Sequence, residues 1–191
     1  MSKLYFKTGV MGSGKTLDLA RVKYNYEEKG MKVLLYKPRT DTRDGVDDCF
    51  IGSRALGYKI PARWISDKMA EDIEKVNPSI VIIDESQFLS KEQVDEIQKI
   101  CYNYNIPIIL YGLKTTFQGL LFEGTKRILE VCDKVEEFKC MCKCGNVAKQ
   151  NARMLNGKIT KDGEVVAIGG NELYTGVCNK CFYIGGKNNN E

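Results

Sequence analysis

The eight residues Gly9-Val10-Met11-Gly12-Ser13-Gly14-Lys15-Thr16 carry the spacing G-x-x-x-x-G-K-[ST] and follow directly on the apolar run Leu4-Tyr5-Phe6. A strand that enters a glycine-rich turn and leaves as a helix aims several backbone N–H groups, and the positive end of a helix dipole, at one point. Such a nest binds a polyphosphate. Gly9, Gly12 and Gly14 let the backbone turn tightly and approach phosphate oxygens. Lys15 reaches the β- and γ-phosphates as a point charge, and the Thr16 hydroxyl is a ligand for Mg²⁺. With Val10, Met11 and Ser13 completing the loop, all eight are candidate ATP-binding residues.

Asp84 and Glu85 follow the run Ile80-Val81-Ile82-Ile83. Four consecutive β-branched residues imply a strand buried on both faces, as in the middle of a parallel sheet. Its carboxyl end is the edge where open α/β sheets bind ligands, and the glycine-rich loop emerges at the same edge. Asp84 is therefore a candidate for holding Mg²⁺ against the phosphates, and Glu85 for taking the proton of an attacking hydroxyl. The chain contains no histidine. A histidine base, phosphocarrier or metal ligand is excluded, and proton transfer falls to a carboxylate.

The eight cysteines divide unevenly. Cys49, Cys101 and Cys132 stand alone, whereas Cys140, Cys142, Cys144, Cys178 and Cys181 crowd into the last quarter. Two short cysteine turns about thirty residues apart resemble a Cys₄ zinc ribbon rather than a disulfide framework. Cys142, Cys144, Cys178 and Cys181 are the expected four, with Cys140 as the competing ligand. Four thiolates leave no open position, so the Zn²⁺ is structural. The insert between the turns carries Ile168-Gly169-Gly170 and Tyr174, where bare backbone can approach a ligand closely and an aromatic ring can stack on a planar base.

These residues must be positioned by 191 residues, enough for one α/β domain and a small appendage. Strand and helix patterns alternate through the first two thirds, the signature of a mostly parallel sheet with covering helices. The pattern predicts a helix from Thr16 to about Lys29 with Leu17, Ala20, Val22 and Tyr24 near one side and Gly30 at its C′ position. A strand at Val33–Tyr36 comes next, then a long loop from Pro38 to Gly57. A short helix over Asp67 to Lys75 with Ser66 as N-cap leads to the strand at 80–83. Ser90-Lys91-Glu92-Gln93 reads as a capping box opening a helix striped by Val94, Ile97, Ile100, Cys101 and Tyr104. A strand at Ile106–Tyr111 and an amphipathic stretch at Thr125–Val131 close a domain spanning 1–139. Residues 140–184 form a zinc-binding unit that includes a strand-like piece at Gly163–Ile168, and 185–191 a disordered tail.

Net charge is +4, with Lys and Arg scattered along the chain. That is no electrostatic footprint for nucleic acid. No run approaches the ~18 apolar residues of a membrane span, and the N-terminus lacks the apolar core of a signal peptide. A cytoplasmic protein that binds neither membrane nor nucleic acid is expected. No Asn-Lys-x-Asp element follows a strand, which counts against a guanine-specific GTPase.

Taken together, Gly9 to Thr16, Asp84-Glu85-Ser86-Gln87-Phe88, Tyr111-Gly112-Leu113-Lys114-Thr115-Thr116-Phe117, the two cysteine turns and Ile168-Gly169-Gly170 through Tyr174 resemble the type II thymidine kinases over nearly the whole chain. The resemblance implies a RecA-like α/β domain and a zinc-anchored lasso that closes over thymidine. It further implies ATP-dependent phosphorylation of the 5′-hydroxyl and a homotetramer inhibited by dTTP. On it, Glu85 matches the general base and Asp84 the Mg²⁺-associated acid. Gln87 and Phe88 continue that loop near the substrates, Gln87 on the ATP and Mg²⁺ side and Phe88 on the thymidine side. Phe117 and Phe122 match walls of the nucleoside pocket, and Ile168, Gly169, Gly170 and Tyr174 the lasso. Arg43, in Asp41-Thr42-Arg43, is the candidate for stabilising transition-state charge. Two departures stand out. Thr116 occupies a place where many bacterial members have Asp, and the first cysteine turn is CxC, which leaves Cys140 and Cys142 in competition. The rival reading from another class is a P-loop ATPase whose zinc ribbon binds nucleic acid.

Overall fold

The computed structural model describes residues 3–39, 49–52, 57, 59–163 and 173–185. Leu4–Thr8 forms β1, and after the glycine-rich loop Lys15–Glu27 forms α1. β2 (Val33–Lys37) precedes the short strands β3 (Phe50–Gly52), β4 (Lys59–Pro61) and β5 (Arg63–Trp64), and then α2 (Met69–Val76) and β6 (Ile80–Ile83). A 3₁₀ turn at Ser86–Phe88, α3 (Lys91–Asn103), β7 (Ile108–Gly112), α4 (Glu123–Val131) and β8 (Lys134–Glu137) follow. The remainder is β9 (Gln150–Leu155), β10 (Lys158–Thr160), β11 (Tyr174–Val177) and α5 (Asn179–Ile184).

Six strands make one sheet in the order β5-β2-β6-β7-β1-β8, and every neighbouring pair runs parallel. The α/β class and the parallel sheet are as the alternating pattern requires. β6 lies inside the sheet with all four residues buried, because its side chains feed two cores at once. Val81 and Ile83 face the helical layer of α2, α3 and α4, packing with Phe6, Val94, Ile97 and Ile128. Ile80 and Ile82 face α1 and the β3–β4 hairpin, packing with Leu19, Ile51 and Ile60. A second, three-stranded antiparallel sheet, β10-β9-β11, carries the C-terminal cysteines' neighbourhood.

The capping box forms as read: Ser90 Oγ accepts the Gln93 N–H, and Gln93 Oε1 accepts the Ser90 N–H. α3 buries Val94, Ile97, Ile100 and Cys101, the stripe set by its period. Gly30 ends α1 with φ +72°, its N–H on Glu27 and the Met31 N–H on Tyr26, the paired bonds of a Schellman close.

Several local readings are corrected. The inward line of α1 is Leu19, Val22 and Tyr26 at i, i+3, i+7, with Ala20 packed beside it as expected, whereas Leu17 and Tyr24 are exposed. Ser66 does not cap α2. Its hydroxyl accepts the Lys68 N–H and its carbonyl the Met69 N–H, so it closes a turn ahead of the helix, and Lys68 is the N-cap. The stretch 38–57 is not all loop, since β3 pairs antiparallel with β4. β5 and β8 extend the sheet at its two edges; β8 is charged and mostly exposed, the composition that guards an edge against further pairing. Arg43, Ile168, Gly169, Gly170, most of the 163–168 strand-like piece and nearly all of the tail lie outside the described residues.

Candidate active site

The carboxyl ends of β1, β6 and β7 meet at one edge, with β7 between the other two. After β1 the chain turns through Gly12 (φ +74°) and Gly14 (φ +86°), left-handed conformations that favour glycine, before α1 begins at Lys15. Gly9 also meets a packing need of the loop. A Cβ there would come 2.5 Å from Ser13 Oγ and 3.1 Å from Phe138, so its bareness serves packing within the loop. Lys15 folds over the loop, its Nζ donating to the carbonyls of Gly9 at 3.2 Å and Val10 at 3.0 Å. Thr16 follows in the first turn of α1. Beneath the loop, Lys7 on β1 and Tyr111 on β7 both donate to Asp18 Oδ2 at 2.7 Å, clamping the start of α1 to the sheet.

Asp84 leaves β6 with 6 % exposure, its N–H on the Tyr36 carbonyl and its Oδ1 accepting the Glu85 N–H at 2.9 Å. Burial and the adjacent Glu85 carboxylate push Asp84 up to about 7, while the Glu85 N–H, Lys15 and Lys37 pull the other way. A buried carboxylate whose charge is disfavoured, beside a second carboxylate and the glycine-rich loop, is a donor set that a divalent cation could complete. Mg²⁺ fits here.

Glu85 sits at φ +51°, a left-handed conformation rare outside glycine that costs on the order of 1–3 kcal/mol. It swings the chain from β6 into the 3₁₀ turn, and its carboxylate is gripped at once. Gln87 Nε2 donates to Glu85 Oε2 at 2.6 Å, while Gln87 Oε1 accepts the Leu113 N–H at 3.0 Å from the loop after β7. Gln87 is itself 2 % exposed. The structure therefore places it as the strut that orients Glu85. Space for that strut comes from Gly112, where a Cβ would lie 2.6 Å from Ser86 Oγ and 2.9 Å from Gln87 Oε1.

The candidate nucleoside walls form two aromatic pairs. Phe88 meets Phe122 edge to face, with centroids 5.7 Å apart. Phe117, nearly fully buried, tilts against Tyr174 at 6.1 Å, and the Arg153 guanidinium lies 5.4 Å above its ring. Thr116 is also buried, its hydroxyl accepting the Gln118 N–H and so shaping the turn that carries Phe117.

The sulfurs of Cys142, Cys144, Cys178 and Cys181 all lie within 4.8 Å of one another. Cys144 is 3.5 Å from Cys142 and 3.6 Å from Cys178. A tetrahedral Zn²⁺ with bonds of ~2.3 Å needs sulfurs about 3.8 Å apart, so the four can hold one ion with little movement. Cys140 is outside the group, its sulfur directed at the Met141 carbonyl. Hydrogen bonds from Asn146 draw the Cys144 thiol down to about 6. Within the same cluster, hydrogen bonds with Cys144 and Cys178 push the Cys181 thiol up to about 12.

Two contributors were not found from the sequence. Lys37, at the end of β2, is 2 % exposed and its charge works against the upward shift of Asp84; a lysine closing an apolar strand is the available signal. Asn151 on β9 accepts the Met11 N–H of the glycine-rich loop at 2.8 Å. Nothing local marked it.

A family model described as thymidine kinase matches residues 2–182. The thymidine kinase of Streptococcus pyogenes serotype M3 is 41% identical over 190 residues, covering 96% of this chain and 98% of that protein. The thymidine kinase of Lactococcus lactis subsp. lactis is likewise 41% identical over 189 residues, with 96% and 98% covered. That of Streptococcus gordonii is 39% identical over 188 residues, with 96% and 97% covered.

Proposed function

We propose a reaction from one premise: this chain belongs to the thymidine kinase family. It is a nucleoside kinase, moving the γ-phosphoryl group of ATP to the 5′-hydroxyl of thymidine to give dTMP and ADP. The observation that carries the reading within the site is the Glu85 carboxylate, fixed by Gln87 at the sheet edge where the glycine-rich loop also emerges.

Gly9 to Thr16 wrap the triphosphate, with Lys15 giving up its loop carbonyls for phosphate oxygens. Thr16 and Asp84 would hold Mg²⁺, which supplies neutralisation of the charge on the β- and γ-phosphates. Glu85 accepts the 5′-hydroxyl proton as the oxygen attacks, and Gln87 keeps that carboxylate aimed. Arg43 stabilises charge on the moving phosphoryl group. Phe88, Phe117, Phe122 and Tyr174 enclose the nucleoside, closed over by Ile168, Gly169 and Gly170. Four thiolates from Cys142, Cys144, Cys178 and Cys181 would hold Zn²⁺ as a structural clamp. We assign 1–139 to the ATP-binding domain and 140–184 to the zinc-binding unit. From the family resemblance we add a homotetramer, feedback inhibition by dTTP and a cytoplasmic location. No helix among the described residues is long and apolar enough to cross a membrane.

A phosphate-transfer assay over a panel of nucleosides tests this reading. Backbone donors and acceptors that satisfy the thymine edge leave cytosine with unpaired buried groups, each costing about 1–3 kcal/mol. Thymidine is expected to be preferred over deoxycytidine by roughly tenfold or more in kcat/KM. Equal use of the two would contradict it, and ATP hydrolysis stimulated by DNA without nucleoside would favour a nucleic-acid-dependent ATPase.

A further inference from the structure

The small C-terminal sheet touches the glycine-rich loop directly. Asn151, 3 % exposed, accepts the Met11 N–H through Oδ1 at 2.8 Å and donates through Nδ2 to the Thr115 carbonyl at 3.0 Å. One buried amide thus spans the phosphate loop and the segment that leads to Phe117. Val10, the residue before Met11, is buried in the same cluster as Cys142, Cys178, Ala148, Ala152 and Val177. Gly176 sits opposite Asn151 on β11, and a Cβ there would come 2.7 Å from Val10 Cγ2. Two of the metal-ligating cysteines and the first turn of the phosphate cradle therefore share one core.

A phosphate nest works only if its backbone is held in one conformation, since each N–H must point at the ligand before it arrives. The Met11 N–H does not join that convergence. It is spent on Asn151, and this bond fixes the turn at the point where Gly12 takes its positive φ. What orders β9 and β11 then orders the loop. By linkage, a ligand that orders the loop stabilises β9 and β11 to the same extent.

We propose that Asn151 is a positioning residue that couples the four-cysteine site to the triphosphate cradle, so that zinc and nucleotide each strengthen the other's binding. The inference rests on the reading that Gly9 to Thr16 bind ATP. Its test has two arms on zinc-loaded full-length protein. In the first, the Kd of a non-hydrolysable ATP analogue with Mg²⁺ is measured by calorimetry; Asn151→Ala weakens it roughly tenfold, within the usual range of coupling between sites. In the second, the rate of zinc transfer to a chromogenic chelator is followed with and without saturating analogue. Nucleotide slows that transfer several-fold in the wild type and has no effect on it in Asn151→Ala.

An unchanged Kd in a folded Asn151→Ala protein, or zinc transfer from the wild type that ignores nucleotide, overturns the coupling. A residue with a merely structural role would lower the melting temperature and leave the nucleotide effect on zinc transfer in place, which also overturns it. The wild-type arm needs no variant to fold. Gly176→Ala, which crowds Val10 from the opposite strand, supplies a second variant expected to weaken the analogue. Wild-type protein that binds no analogue at all contradicts the triphosphate reading itself, a result distinct from analogue binding that fails to protect zinc.

Discussion

Glu85→Gln leaves ATP binding intact and lowers turnover with thymidine by roughly 10²- to 10⁴-fold. The substitution is close to isosteric and keeps an oxygen for Gln87 Nε2, now 2.6 Å from Glu85 Oε2, so the side chain stays where the turn puts it. What disappears is the capacity to take a proton. Because Asp84 and the glycine-rich loop are untouched, calorimetric affinity for the ATP analogue should change by less than about threefold. Comparison of kcat with that affinity separates loss of the base from loss of the fold. A Glu85→Gln enzyme that turns over thymidine at the wild-type rate removes Glu85 from the chemistry.

Cys178→Ser abolishes stoichiometric zinc and unfolds the C-terminal unit. Structural zinc contributes on the order of 10 kcal/mol, comparable to the whole stability of a typical domain. Cys178 has more than one duty. Its sulfur is one of the four clustered sulfurs, it accepts the Cys181 N–H at the start of α5, and it is buried in one cluster with Ala148 and Val10. Loss of the metal should therefore reach the phosphate loop as well as the hairpins. Elemental analysis is expected to find about one zinc per wild-type chain and none in Cys178→Ser, with a lowered melting temperature and weakened ATP binding. Cys49→Ser, outside the four-sulfur group, keeps its zinc. Full zinc and unchanged melting in Cys178→Ser would refute the ligand set.

Features written in neighbouring residues were legible. The spacing of Gly9 to Thr16, the β-branched run at 80–83, the Ser90–Gln93 box and the two cysteine turns each specify local geometry, and the structure contains that geometry. Spacing does not settle the choice between Cys140 and Cys142, because the run from Cys140 to Cys144 offers three sulfurs for two places and only the backbone path decides which of them join Cys178 and Cys181. No sequence pattern marks β8, because Lys134-Val135-Glu136-Glu137 has no alternating apolar face; β1 recruits it as an edge. β5 is two residues long, below what any pattern can mark.

The site held subtler surprises. Nothing in Asp84-Glu85-Ser86 signals a left-handed glutamate, since the turn is imposed by close packing of Gly112 and α4 on the residues after β6. Gln87, expected on the ATP and Mg²⁺ side, also serves as a strut whose two partners come from Glu85 and Leu113, a pairing that nothing in the local sequence signals. Asn151 reaches Met11 across 140 positions of sequence, a pairing that exists only once two sheets have docked. Long-range hydrogen bonds of this kind leave no periodicity behind them.

The decisive measurement is product analysis of zinc-loaded protein incubated with ATP, Mg²⁺ and thymidine, with thymidine omitted in a parallel sample. A carboxylate base beside a phosphate cradle that requires a nucleoside hydroxyl gives dTMP and ADP in equal amounts, with ADP near background when thymidine is absent. Folded, metal-replete protein that makes no dTMP, or that releases ADP as fast without thymidine, contradicts it.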